Sequence, residues 1–371
     1  MRRIAAAAAI MLLAGGCASW PKDRYASCPN ASETPVITRL ADGRQSTTLS
    51  VLIYNVEGLP WPARKKRGPS LDRIGQTLAA FRAEGRAPDI VLMQETFTSR
   101  AARIGAHTGY ANAIGGPKRS DMVKDPAVAG KFVAERRRKK GERGPKLMRS
   151  GLYVLSDFPV TEMVREGYAR NACAGFDCLA AKGMMLVRAT IPGVPSPIDI
   201  FTTHMNAGRA ARVSLERSGE AHHYQALEAA HFLDEYHVPD NPLIIGGDFN
   251  MRRNPGRFDF FSTAVPYTIV HRWCIEKPAA CDVKMSWDGD APWLDTQDLQ
   301  AFDNGKAVSV EPIRVEAMFD GSDNGARLSD HDGFLVTYRL SWREGAQGAV
   351  DAQCPVAPGQ AARRLPGFHM G

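Results

Sequence analysis

The sequence lacks the marks of the commonest nucleotide, redox and esterase enzymes. It has no Walker loop, no Gly-x-Gly-x-x-Gly fingerprint after a strand and no Gly-x-Ser-x-Gly elbow. Nucleotide-driven, dinucleotide-dependent and serine-esterase chemistry are therefore poor fits. No two cysteines have the C-x-x-C spacing of a structural zinc site. There is no internal repeat, and the one terminal apolar run, residues 4–14, is too short to span a bilayer. Net charge is scarce as well, except in one place. Residues 116–150 hold twelve Lys/Arg against four Asp/Glu, a local +8 within a total of +7, so the remainder sums to −1.

What is present is ordinary soluble material. At 371 residues and 44% hydrophobic, the chain can build a large core. Length alone suggests about two domains, but no boundary interrupts residues 49–340, and one domain is expected over 48–341. Arg2 and Arg3, the apolar run and "AGGC" read as an export signal over 1–17. That stretch resembles a bacterial lipobox, with Leu13 one place further back than usual, Cys17 as the acylated residue and Ala18 fitting the outer membrane. Residues 18–47 read as a tether and 342–371 as a tail. Setting Cys17 aside leaves six cysteines, an even count that fits disulfides in an exported chain. Short loops favour Cys173–Cys178 and Cys274–Cys281, leaving Cys28 with Cys354. The basic segment 116–150 has no apolar period and reads as an insertion loop, either simply solvated or a patch for polyanions.

The strands carry the chemistry. "LSVLIYNVEG" reads as a strand ending at Asn55, and "PDIVLMQETF" as one ending at Glu95. Between them "SLDRIGQTLAAFRAEG" is an amphipathic helix, with Ser70 as its cap, Leu71, Ile74, Leu78 and Phe81 on one face and Gly85 ending it. "SGLYVLSDFPV" and "LAAKGMMLVRATIP" are further strands, and "IDIFTTHMN" ends at His204 and Asn206. Residues 215–236 are helical, with Leu227, Ala230 and Leu233 expected on the buried side. "LIIGGDFNM" then gives an apolar strand, two glycines to free the chain as it leaves the sheet, and Asp248 with Asn250. Asp330 and His331 begin the last strand. An Asx turn after a strand is commonplace; five strand termini with such groups suggest one shared centre at a sheet edge. Glu95 and Asp330 are hard oxygen ligands and Asn55 adds a carbonyl, a set suited to Mg²⁺ or Mn²⁺ rather than zinc. Two histidines can move protons, so attack of water on a phosphodiester has its parts.

At these residues the chain resembles the endonuclease/exonuclease/phosphatase superfamily, whose members include deoxyribonuclease-type nucleases, abasic-site endonucleases, inositol-phosphate phosphatases and neutral sphingomyelinases. "YNVEGLP", "DIVLMQETF", "FTTHMNA", "IIGGDFN" and "LSDHDG" occur in the family's order. The resemblance implies a four-layer α/β/β/α sandwich of two mixed sheets flanked by helices. It implies Glu95 as principal Mg²⁺ ligand beside Asn55, and Asp248 orienting or deprotonating the attacking water. Asn250, with Asn206, would hold the phosphate. His204 and His331 would share acid/base work, in an order left open, and Asp330 would complete the metal or phosphate site. Asp298 in "TQDLQAF" is the candidate to polarise His331, although the family's usual Asp-x-Ile/Val is missing. "SDHDG" also departs from the usual pattern after the histidine.

Three functions follow. The first is a sphingomyelinase-like lipid phosphodiesterase, supported by the "NVEGLP" and "QETF" blocks, the lipid anchor at Cys17 and a Trp273, Trp287, Trp293 loop that could meet an interface. The second is an exported nuclease using the basic segment on phosphates. The third is a non-catalytic surface lipoprotein. A monomer is expected in each case.

Overall fold

The computed structural model describes residues 19–25, 35–123, 128, 130–287 and 289–346. In chain order the elements begin with β1 (Thr38–Arg39), β2 (Gln45–Asn55), α1 (Gly68–Ala83), β3 (Ile90–Gln94), α2 (Ser99–Ala102), α3 (Ile104–His107) and β4 (Asn112–Gly115). They continue with α4 (Lys131–Ala134), β5 (Tyr153–Ser156), β6 (Val160–Gly167), β7 (Gly183–Ala189), β8 (Ile198–His204) and α5 (Leu215–Tyr236). The last are β9 (Leu243–Asp248), α6 (Pro255–Ala264), β10 (Thr268–Ile269), α7 (Val270–Glu276), β11 (Asp282–Lys284), β12 (Asp298–Asp303), β13 (Ser309–Met318) and β14 (Gly333–Trp342).

Two mixed sheets result. One has eight strands in the order β11-β13-β14-β2-β3-β5-β4, with β1 also on β2; the other has six, β10-β12-β9-β8-β7-β6. The period-2 alternation of strand side chains assigns each face. Val51, Ile53, Leu92, Ile200 and Ile244 meet between the sheets. Leu52 and Tyr54 turn outward to α1, while Phe201 and Ile245 turn outward to the residues of α5 and α6. That makes the expected four layers. Each sheet has a parallel pair at its middle, β2/β3 and β8/β9. The carboxyl ends of both pairs carry the polar residues, the usual location of a site in an α/β sheet.

Several local expectations change. Gly246 and Gly247 lie inside β9, and what they supply is space. A Cβ at Gly246 would come within 2.9 Å of Leu92 Cδ1, and one at Gly247 within 2.2 Å of the Thr203 carbonyl oxygen. The cap of α1 is Arg67 rather than Ser70, which lies within the first turn behind Pro69, a residue whose missing N–H costs nothing there. Gly85 does end α1: it adopts φ +70, and bonds from Gly85 N to Arg82 O and Arg86 N to Phe81 O close the turn. The bounds of α5 are as expected, but Leu227 is 53% exposed and Ala226, Ala229, Phe232 and Leu233 form the buried face. One position turns the helix by about 100°, which carries Leu227 off that face.

The described part of the basic segment is structured rather than a bare loop. It contains α4 and a 3₁₀ turn, Arg138–Lys140. Its Val128 and Phe132 are buried against Ala169, Ala172 and Ala221. Part of the stretch read as a tether also belongs to the fold, because Arg24 pairs with Ala113 and Tyr25 is in the central core. The Cys173–Cys178 and Cys274–Cys281 disulfides are formed. Cys17, the export segment, Cys28–Cys354 and most of the tail lie outside the described residues. Among the described residues, no helix is long and apolar enough to cross a membrane.

Candidate active site

Register builds the centre. His204 and Asp248 are direct partners across β8 and β9, and Asp298 opens β12 opposite Asp248. Asp248 is therefore enclosed, 2% exposed. Its Oδ2 accepts from Asn55 Nδ2 at 2.9 Å, which joins the ends of the two sheets, and its Oδ1 accepts from the Asn250 N–H at 3.1 Å. Burial and the neighbouring Asp298 charge raise the Asp248 pKa, against the pull of His331 and Lys182.

Two histidines flank this carboxylate. His331 Nδ1 lies 2.6 Å from Asp298 Oδ2, with Nε2 3.3 Å from Gln297 Nε2 and 3.9 Å from Asp248 Oδ2. Burial disfavours charge on His331, but Asp298, Asp248 and Asp330 outweigh it and its pKa rises far above the ordinary value. His204 has the opposite environment. Its Nε2 lies 3.4 Å from Asp248 Oδ2 and 3.0 Å from Lys182 Nζ. Burial, with the positive charges of Lys182 and His331, lowers its pKa well below the usual value.

Glu95 sits just past β3 at φ +56, a conformation uncommon outside glycine and asparagine. Its Oε2 is buried with no hydrogen-bond partner. Burial pushes its pKa up to about 7, despite Lys182 and the Asn55 amide. A carboxylate oxygen left bare in a dry site is chemically suited to a cation. Asn55 Oδ1 accepts from the Glu57 N–H at 3.0 Å and keeps a second lone pair. A second grouping, Asp248, Asp298 and His331, has ligand-type atoms all within 4.8 Å. There the close Asp298–His331 bond already occupies the two atoms that face each other, so a proton-transfer pair describes it better than a metal centre.

The profile of the Endonuclease/Exonuclease/phosphatase family matches residues 52–331. The chain belongs to this family. Similar solved structures include beta toxin from Staphylococcus aureus, 15% identical, TM-score 0.55, covering 80% of this chain and 100% of that one. Sphingomyelinase C from Streptomyces griseocarneus is 17% identical, TM-score 0.54, covering 78% and 99%. D. rerio TDP2, complexed with single-strand DNA product, is 16% identical, TM-score 0.50, covering 78% and 98%. At such identities the likeness is one of fold. No curated protein matches the chain in sequence.

Within this family member the expected residues do not all converge. Asn55, Glu95, His204, Asp248, Asn250, Asp298 and His331 do. Asp330 turns to the rim, where its half-exposed carboxylate accepts from Arg64 Nη2 at 3.0 Å, and Arg64 also binds Glu57. The Asn206 amide is committed to the backbone: its Oδ1 accepts from Ala174 N and its Nδ2 donates to Ala207 O. That geometry braces the loop after β8 and uses one of the two amide N–H donors. Two members were missed. Lys182 is 6% exposed and donates to Asp177 Oδ2 and Met205 O, both at 2.9 Å, as well as facing His204. Asp177 in turn accepts from the Ala207 N–H. The available signal was a lysine inside the apolar run "LAAKGMML", where a cation needs a partner.

Proposed function

We propose that the protein is a phosphodiesterase dependent on Mg²⁺ or Mn²⁺, with the cation held by Glu95 and Asn55. The observation that carries this reading is a buried Asp248 between two oppositely perturbed histidines, next to a carboxylate oxygen with no partner. The cation would neutralise phosphate charge. Asp248 orients the water and draws its proton, and Asn250 steadies the phosphate. His331, kept charged by Asp298, donates a proton to the departing oxygen. Lys182 adds positive charge near the phosphate, and the neutral His204 adds a hydrogen-bonding group. A beta toxin structure of the same fold carries bound magnesium ions, which supports the cation.

The substrate we favour is a lipid phosphodiester of the sphingomyelin type. It is supported by the "NVEGLP" and "QETF" blocks and by the fold shared with a sphingomyelinase C. A nuclease is the second reading, favoured by the exposed basic residues of the 116–150 segment. Purified protein should hydrolyse sphingomyelin with Mg²⁺, lose activity in EDTA and regain it on adding Mg²⁺; Glu95→Gln should be inactive but folded. Full activity in EDTA would sink the metal assignment, and cleavage of plasmid DNA alone would favour the nuclease. We also propose export with an acyl anchor at Cys17, supported by two disulfides suited to an oxidising compartment. Detergent partition unaffected by Cys17→Ser would refute the anchor.

A further inference from the structure

Next to Asp177, whose partner Lys182 faces His204, lies a face built from three separate segments. Lys140 Nζ donates to Arg212 O at 2.8 Å, and Leu147 N donates to Leu179 O at 2.7 Å. Gly141 lies against the Phe176 and Leu179 side chains. The joint between the segments is the buried Glu142 carboxylate. It accepts from Arg217 Nε at 2.6 Å, from the Gly175 N–H at 3.0 Å and from the Arg137 N–H at 2.6 Å. The Cys173–Cys178 disulfide closes the turn that carries Phe176. The face is thus held in place by buried contacts rather than carried on a loose arm.

Its surface combines apolar and basic side chains. Phe176, Leu147 and Leu215 are 46%, 59% and 50% exposed. Around them Arg137, Arg138, Lys139, Arg143, Arg209 and Arg212 are exposed. None of the six forms an ion pair among the described residues. Phe176 immediately precedes Asp177, which holds Lys182 against His204. The face is therefore linked to the site through Asp177 and Lys182.

We propose that this face docks on an anionic lipid bilayer and turns the site toward the membrane. The basic residues match an anionic surface, and the three apolar side chains match the acyl boundary beneath it. A nucleic acid explains less. Leu147 and Leu215 offer a phosphate or a base neither hydrogen bonds nor stacking, and a single-strand groove uses successive aromatics where this face has one. The use of the face rests on the lipid reading above, but the binding can be measured without it.

The test is vesicle cosedimentation of the full chain carrying Cys17→Ser, so that no acyl group contributes. Phosphatidylcholine vesicles are compared with vesicles that also contain phosphatidylglycerol. Binding should need phosphatidylglycerol and weaken as salt rises. Leu147→Ser/Phe176→Ser should weaken it roughly tenfold, as expected for removing two apolar anchors. Arg138→Glu/Lys139→Glu and, independently, Arg209→Glu/Arg212→Glu should do at least as much. All three variants should turn over a small soluble phosphodiester at the wild-type rate, which verifies their fold. Equal binding to both vesicle types, or variants that bind as wild type, would overturn the proposal. So would a loss confined to DNA binding, which would make the face a nucleic-acid surface. Docking that persists in a protein inactive on sphingomyelin would sustain the face and refute the substrate instead.

Discussion

On one side of Asp248 a histidine leans on a carboxylate; on the other a histidine faces an ammonium. His331 with Asp298 is an acid-keeping pair, and His204 with Lys182 is the reverse. The same imidazole is driven toward its charged form in one place and its neutral form in the other, across a few ångströms. Separation of two such groups by environment is how an acid and a base are told apart at one pH. Under the proposed function, that difference would make His331 the proton donor and leave Asp248 and the neutral His204 to receive or relay a proton.

The strongest way to break this comparison is Asp298→Asn. The bond to His331 can survive, but the charge that offsets its burial does not. Turnover should fall roughly 10²-fold or more, the scale of general acid–base catalysis. The sign of the pH effect follows. His331 has a raised pKa, so its charged form persists as pH increases; without the Asp298 charge that form is lost at lower pH. The alkaline limb of the rate profile should therefore move downward. An unmoved limb would show that His331 is not the acid.

Lys182→Met tests the other side. It removes an ammonium whose neighbours are Asp177 and His204, and the loss should be smaller, roughly 10- to 100-fold. Because Lys182 is one cause of the lowered His204 pKa, the acid limb should move upward. A rate and profile like those of the wild type would make Lys182 a structural cation only.

The smallest effect sharpens the comparison through the disulfides. Cys173–Cys178 and Cys274–Cys281 close similarly short loops, with sequence separations of 5 and 7. Each should contribute about 2 kcal/mol by the chain-entropy estimate. Only the first encloses Asp177. Cys173→Ser/Cys178→Ser should cost several-fold in kcat, whereas Cys274→Ser/Cys281→Ser should lower Tm alike and leave kcat alone. Equal activity losses would mean that both act only through stability.

Much of the frame was legible beforehand because burial writes itself into composition. Runs such as "VLIYN" and "LIIGG" belong to strands covered on both faces, and polar groups interrupt them only where they leave the core. Short elements were less visible. The strand β4, "NAIG", has no pattern of its own and exists because β5 pairs with it. The basic segment read as a loop because its apolar residues are few, yet one buried glutamate ties it to α5. Asn206 and Asp330 carried the right functional groups in the right motifs, but an amide or carboxylate serves whichever donor lies nearest. For Asn206 that was the backbone, and for Asp330 it was Arg64.

By itself, then, the order of residues determined which groups end the central strands and hence the chemistry available, since strand periodicity and solvent exclusion act locally along the chain. Only the tertiary structure decided which oxygen stays bare at Glu95, in which direction each histidine is driven and how Lys182 comes to be buried beside one of them. Those outcomes depend on charges brought within about 4 Å from strands far apart in sequence, where a dry surrounding magnifies each neighbour.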